Sequence, residues 1–316
     1  MAQNTKSLNV GVIGPAGFTG SHTCVELLRR GHHIVGISRN PEAVGTHPRY
    51  SPRPADLEKL SIQEIANLFQ GLDILISAYG PHTTGADALQ YKPFLELVRK
   101  LIIAVKESKI GYFIFIGGAG SLHVPGTVQI CTVDHPDFFI PYRRAIADSE
   151  AHTTYMEERL GPLGSSLRRF RDARILEREG NATPESKAFI EEYEKAVGLK
   201  DKASDFIQAG RTSYMFFDGN FSFKWTYVSP SPLYRPGKRT GQYQVTIDDV
   251  PLQGPQTTLN IFEGRLTGIT AADLAIAISD EVEQQQYVGK HWTAVGDLSD
   301  DTLVPSYVTV TNIGTS

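Results

Sequence analysis

Two cysteines in 316 residues, Cys24 and Cys131, are too few for a disulfide framework, and neither belongs to a metal-ligand spacing. Cys24 falls within a helical pattern and reads as a small buried apolar residue. Long apolar runs are missing: none approaches the roughly 20 residues of a membrane-spanning helix. Neither sign of charge is in excess, because 31 Lys+Arg stand against 35 Asp+Glu for a formal net charge of −4. That balance gives no reason to expect nucleic acid or an anionic membrane as a partner. The polar opening MAQNTKSLNV runs straight into a strand with no secretory signal pattern, so a soluble cytoplasmic protein is expected. Asn181-Ala-Thr and Asn220-Phe-Ser match the N-glycosylation pattern but lack the secretion signal that would give them meaning. What remains, with 41% hydrophobic and 21% charged residues, is a globular chain able to bury a large core.

The chain begins as an alternation of strands and helices. Leu8–Ile13 is a short apolar run ending in glycine, and Thr19–Arg30 places Cys24, Val25, Leu27 and Leu28 at helical spacing before Gly31. His33–Ser38 predicts a second strand, Ser61–Phe69 a helix, Leu72–Ala78 a strand, Pro93–Lys106 a helix and Tyr112–Ile116 a strand running into Gly117-Gly118. Strands apolar on both faces and separated by helices predict a parallel sheet covered on both sides. From about Ala147 to Phe206 the chain turns charge-rich and helical. One helix there opens at Thr183-Pro184-Glu185 and closes at Gly198. Strand patterns return at Lys224–Val228, Gln242–Ile247 and His291–Val295, with a helix over Ala271–Gln285 capped by Thr270. A single sheet-based domain spanning 1–316 is expected, with 147–222 as a helical insertion serving as substrate lid; the stretch Pro141–Phe223 as a small lid domain is the alternative.

Gly14-Pro-Ala-Gly17-Phe-Thr-Gly20 lies between the first strand and the first helix. Gly14 permits a tight turn, Gly17 lets backbone approach a pyrophosphate, and Gly20 allows close packing, while the helix N-terminus offers free N–H groups to phosphate. This predicts a Rossmann-type, doubly wound α/β fold with the long helical insertion before its sixth strand. NAD enzymes usually carry an acid at the end of the second strand, about 20 residues beyond the glycines. Here stands Ser38-Arg39-Asn40, and a guanidinium suits a 2′-phosphate, so NADP(H) is the expected cofactor.

GPAGFTGSHTCVELLRRGHHIVGISRNPE resembles the opening of atypical short-chain dehydrogenase/reductases, in particular their NAD(P)H-binding, NmrA-like group. Phe115–Leu122, Tyr227–Pro232, Pro236–Gly241 and Ile269–Ala275 resemble later segments of the same group, whereas the helical stretch resembles nothing in it. The resemblance implies Gly14, Ala16, Gly17, Phe18 and Thr19 around the pyrophosphate, Arg39 at the adenosine phosphate, and Asp56 and Leu57 beside the adenine. It also implies Ala78, Tyr79 and Gly80 beside the ribose.

Reductases of this superfamily typically pair a Tyr-x-x-x-Lys with a serine. Ser121 fits the serine and Tyr142 the tyrosine, but Ile146 stands where lysine belongs, and Arg143 or Arg144 is the nearest electrostatic substitute. Tyr234-Arg-Pro-Gly-Lys238 has the spelling, but its proline and glycine forbid a helix. Tyr142 and Ser121 are therefore the catalytic candidates, with a packing tyrosine and a turn serine as the alternatives. His82, His123 and Tyr234 are candidates for lining the substrate pocket, and Glu150 and Glu157 read as a solvated face. No metal site is expected. The expected activity is NADPH-dependent reduction of a small hydrophobic carbonyl, imine or enone. A non-redox cyclase or isomerase retaining NADP, and a cofactor-sensing regulator, are the alternatives.

Overall fold

A computed structural model describes residues 7–80, 90–127, 129–199, 202–311 and 313. Its strands are β1 (Asn9–Ile13), β2 (His33–Ser38), β3 (Tyr50–Pro54), β4 (Ile74–Ser77), β5 (Tyr112–Ile116), β6 (Trp225–Val228), β7 (Leu233–Arg235), β8 (Gln244–Ile247), β9 (Gly268–Thr270) and β10 (His291–Val295). Eight of them form one sheet in the order β3-β2-β1-β4-β5-β6-β10-β8, parallel except for β8 against β10, and β7 pairs with β9 separately. The first six positions follow the Rossmann order, with the sequence doubling back at β1 so that a crevice opens between β1 and β4 at their C-terminal ends.

Apolar residues sort to the two faces with a period of two, as a sheet buried on both sides requires. In β5, Tyr112, Ile114 and Ile116 join one core layer, whereas Phe113 and Phe115 join the other. The first layer is closed by α1 (Phe18–Arg29) and α9 (Ala271–Gln284), through Cys24, Leu27, Leu28, Leu274 and Ile278. The second is closed by α2 (Ile62–Leu68) and α3 (Tyr91–Ser108), through Ile65, Phe69, Leu97 and Leu101. Ser61 caps α2 and Thr270 caps α9, each accepting a backbone N–H three residues on.

β3 forms although Pro52 and Pro54 break the strand pattern of its sequence. The strand is tolerated at the edge of the sheet, where one side of its backbone has no partner to lose.

Between β5 and β6 run α4 (Phe139–Asp148), α5 (Glu150–Leu160), α6 (Pro162–Arg178), α7 (Pro184–Gly198) and α8 (Lys202–Tyr214). Helix therefore starts at Phe139, ahead of the charge-rich stretch, since Pro141 in the first turn costs no intrahelical bond. Thr183 opens α7 as expected, in a reciprocal cap with Ser186. Glu150 and Glu157 are not a solvated face. Arg168 bonds both, at 2.6 and 2.8 Å, and Arg171 bonds Glu150 at 2.9 Å, which ties α5 to α6. No described helix is long and apolar enough to cross a membrane. The C-terminal segment packs back over α1: Ser306 O lies 3.2 Å from His22 Nε2, and Val310 N donates to Val44 O.

Candidate active site

The glycine turn has the geometry its spacing demands. Gly14 sits at φ +76°, and its N–H donates to Ile37 O of β2 at 3.0 Å. A Cβ on Gly20 would stand 2.0 Å from Gly14 O, so only glycine lets α1 start this close to the turn. Gly17, exposed, precedes α1 as its N-cap with no side-chain cap, and no acid occupies the first turn. The opening N–H groups and the positive end of the helix therefore face the crevice without competition from this chain's own carboxylates.

Two cavities meet at this turn. One, of about 300 Å³, is lined by Gly14, Ser38, Arg39, Asp56, Leu57 and Glu58 among others. The other, of about 400 Å³, runs under α4 and α5 and is lined by Phe18 and Thr19 at its near end. Gly17, Ala78, Tyr79 and Gly80 line both. This is the outline of a dinucleotide: an adenosine end, a waist at the helix N-terminus, and a nicotinamide end. The residues present fit an NAD(P) cofactor, with the uncapped helix end and the Cβ-free cradle as the test. Of the residues implied for it, Ala16 alone lines neither cavity and instead packs on the core behind the turn. In the adenosine end the Asp56 carboxyl is held below its usual range, chiefly by its bond to Lys59 and with a contribution from Arg39. Tyr79 donates its hydroxyl to Glu58 at 2.6 Å.

The second cavity contains Tyr142, stacked on Phe138 with ring centroids 5.2 Å apart. Burial raises its pKa, against the pull of Arg143 and Arg159. Ile146 is buried in the core between α4 and α6, so α4 holds no basic partner at that spacing. Arg144 points elsewhere and bonds Glu194 and Glu263, whereas Arg143 lines the cavity.

The pair that sequence reading missed is on the next helix. Tyr155 and Arg159 are four residues apart on α5, both line the cavity, and Arg159 Nη1 donates to Tyr155 Oη at 2.6 Å. Tyr155 stacks on Phe18, the first residue of α1, with centroids 4.1 Å apart, which anchors the phenol beside the glycine turn. Burial pushes its pKa up to about 12, with Arg159 opposing. The signal was present as Tyr155-x-x-x-Arg159, visible once arginine is allowed in the basic position.

Ser121 is a correction. It is fully buried and lines neither cavity; its Oγ donates to Gly118 O at 2.9 Å and lies 2.7 Å from Ser229 Oγ and 3.2 Å from His291 Nε2. His291 Nδ1 in turn is 3.5 Å from Asp248 Oδ1. The set spells a Ser-His-Asp constellation, but hydroxyls closed off from the cavity cannot meet a substrate. Their effect is to hold Gly118, which forms part of the cavity wall. His123 joins this cluster, with its ring 6.3 Å from that of His291, and lines neither cavity. Its strand-end position puts it behind the wall. His82 lies outside the described residues. Tyr234 lines the second cavity and donates to Thr19 Oγ1 at 3.0 Å, while Lys238 turns out to Asp300.

Residues 14–158 match the model of the NAD(P)H-binding family. The uncharacterised protein YwnB of Bacillus subtilis (strain 168) is 26% identical over 292 residues, which cover 92% of this chain and 99% of that protein. Cinnamoyl-CoA reductase 2 of Medicago truncatula is 28% identical over 146 residues, covering 42% of this chain and 43% of the reductase. A solved structure from Bacteroides thetaiotaomicron, provisionally named an epimerase, shares the fold with a TM-score of 0.61 at 21% identity, covering 92% of this chain and 97% of its own. Residues 14–158, which hold the glycine turn, are thus similar to an NAD(P)H-binding family, and the sheet they belong to shares its Rossmann-type fold with the solved structure.

Proposed function

We propose that the protein is an NADPH-dependent oxidoreductase of the atypical, NmrA-like type, reducing a small hydrophobic carbonyl, imine or enone in the second cavity. The observation that carries this reading is the hydrogen bond from Arg159 to the Tyr155 hydroxyl on the cavity wall, next to the first residue of α1. When bound, the nicotinamide supplies the hydride. Tyr155 gives its proton to the substrate oxygen or nitrogen as negative charge develops there, and Arg159 stabilises the tyrosinate left behind. Arginine keeps its charge throughout, so it serves as the electrostatic partner but not as a proton carrier. Aromatic rings make up much of the wall against which the reacting atoms would lie. Arg39 in the adenosine end supports NADPH over NADH. The helices between β5 and β6 act here as more than a lid, because α5 brings the proton donor while Ile207 and Gly210 of α8 close the cavity.

Tyr155→Phe is expected to lower kcat for NADPH oxidation by about 100-fold or more while leaving the Kd for NADPH within about twofold. Absorbance at the nicotinamide band with a panel of aromatic aldehydes and enones gives the first quantity and calorimetry the second. Unchanged turnover in Tyr155→Phe would remove the assignment. Product formed without any change in the nicotinamide band would favour a non-redox cyclase or isomerase over a reductase, and binding without product a cofactor-sensing regulator.

A further inference from the structure

The helix that carries Tyr155 is held at its first turn by a residue from a distant part of the chain. α4 and α5 meet at a corner of one residue, Ser149, which closes the first helix and caps the second. The Ser149 hydroxyl accepts from His152 N at 3.0 Å and donates to Asp301 Oδ1 at 2.5 Å. The Asp301 carboxylate also accepts the N–H groups of Glu150 at 2.7 Å and Ala151 at 3.3 Å. The N–H groups of the first turn, which have no partner within a helix, are thus satisfied in part from outside it.

Asp301 is itself fixed from the other side. Its Oδ1 lies 2.9 Å from Nη1 of Arg235 on β7, and Arg235 is 2% exposed, so the carboxylate is a counter-charge for a buried guanidinium. Burial works against the charge on Arg235, with Asp301 first among the groups opposing it. Arg235 Nη2 also donates to Leu298 O at 2.8 Å and to Asp300 O at 3.1 Å, which holds the backbone on either side of Ser299. Farther on, the same segment is bound to α1 and to Val44. The arginines that bond Glu150 and Glu157 belong to α6, within the same run of helices. Asp301 instead joins α5 to β7, whose Tyr234 packs on Phe18 with centroids 4.9 Å apart; Phe18 is the ring on which Tyr155 stacks.

We infer that Asp301 is a positioning residue for Tyr155: its carboxylate grips the first turn of α5 on one side and Arg235 on the other, and so sets the direction in which the helix delivers the phenol to the second cavity. This role rests on Tyr155 being the proton donor proposed above. A one-residue corner leaves the direction of α5 to whatever holds its first turn. Tyr155 follows Glu150 by about 7 Å along the helix axis, so a tilt of about 10° displaces it by about 1 Å. A misplacement of that size can cost on the order of 100-fold in rate. The stack on Phe18 keeps part of the alignment, so a smaller loss is expected.

The test sets Asp301→Ala and Asp301→Asn in the full-length protein, each with Tyr155 present and with Tyr155→Phe. NADPH oxidation with benzaldehyde and the rest of the aromatic aldehyde and enone panel gives kcat and KM. Asp301→Ala is expected to lower kcat and kcat/KM together by about tenfold, with the Kd for NADPH within about twofold. In the Tyr155→Phe background the same change should alter the residual kcat by less than about twofold, because the group being positioned is gone. Asp301→Asn keeps one acceptor oxygen for the first turn and should recover part of the loss; if Asp301→Ala does not fold, it carries the same comparison. An unchanged kcat overturns the inference, as does an equal loss in both backgrounds. Amide hydrogen exchange reads the grip without turnover: Asp301→Ala should speed exchange over residues 150–160 about fivefold and leave residues 9–29 unchanged. That response in a protein that oxidises NADPH with no aldehyde or enone would sink the reductase reading and keep the grip on α5. Turnover with neither kcat nor exchange altered by the substitution would do the opposite.

Discussion

The two ends of the cleft are built in different ways. The adenosine end is assembled from consecutive turns, those after β1, β2, β3 and β4, all within residues 13–80 except for Leu97. The second cavity gathers α1, α4, α5, α8, the loop after β6, β7 and Tyr307. A site made of sequential strand-to-helix turns carries its own motif. A site made by convergence of distant segments carries only fragments of one, and can change its lining without disturbing the cofactor grip.

Gly20→Val is the strongest way to break this contrast. The added atoms meet Gly14 O, a backbone atom with no room to move, so the cost is expected to exceed about 4 kcal/mol. Circular dichroism and cofactor titration should show a protein that either misfolds or does not bind a nicotinamide nucleotide; retained binding would mean that the close packing of α1 on the turn is not needed. Arg39→Ala sharpens the contrast from the other side. It should weaken NADPH about tenfold and NADH hardly at all, with kcat at saturating cofactor unchanged. Equal losses for the two cofactors would move the 2′-phosphate contact elsewhere.

The smallest effect tests the helix that both ends share. Glu26 of α1 is bonded by Arg239 at 2.9 Å and by Arg30 at 3.1 Å. Burial raises its pKa, but the two guanidiniums outweigh burial and leave it below the ordinary value. Its contribution is therefore present above the unfolded-state pKa and is lost as pH falls through the folded one. Glu26→Gln should lower stability by about 1 kcal/mol at pH 7, with the difference from the unmodified protein shrinking below about pH 4 in thermal melts. A difference that does not change with pH would assign the effect to packing.

The cofactor half was legible because each of its signals is local. β2 and β5 occupy the spans expected of them, since strands buried on both faces leave unbroken apolar runs. The glycine spacing likewise encodes a backbone conformation, not a distant contact. The lining of the second cavity was only partly legible. Tyr142 and Tyr234 do line the cavity, yet Ser121, chosen by its place after β5, is turned inward by its bonds to Ser229 and His291. Those partners lie more than a hundred residues away, so no pattern near Ser121 announces them. Tyr155 and Arg159 were hidden by a substitution in the basic position. Tyr307 is brought in by a segment with no regular structure of its own, and nothing around it in the chain points to a cleft.

The prolines of β3 have a consequence beyond the site. Ala55 N donates inward to Ser38 O, so by alternation the backbone of Pro52 and Pro54 faces away from the sheet. An incoming strand would find no N–H at either position, and that flank of the molecule is a poor template for aggregation. Any growth of the sheet by strand addition must take place at the opposite margin, along β8, where the chain has no such guard.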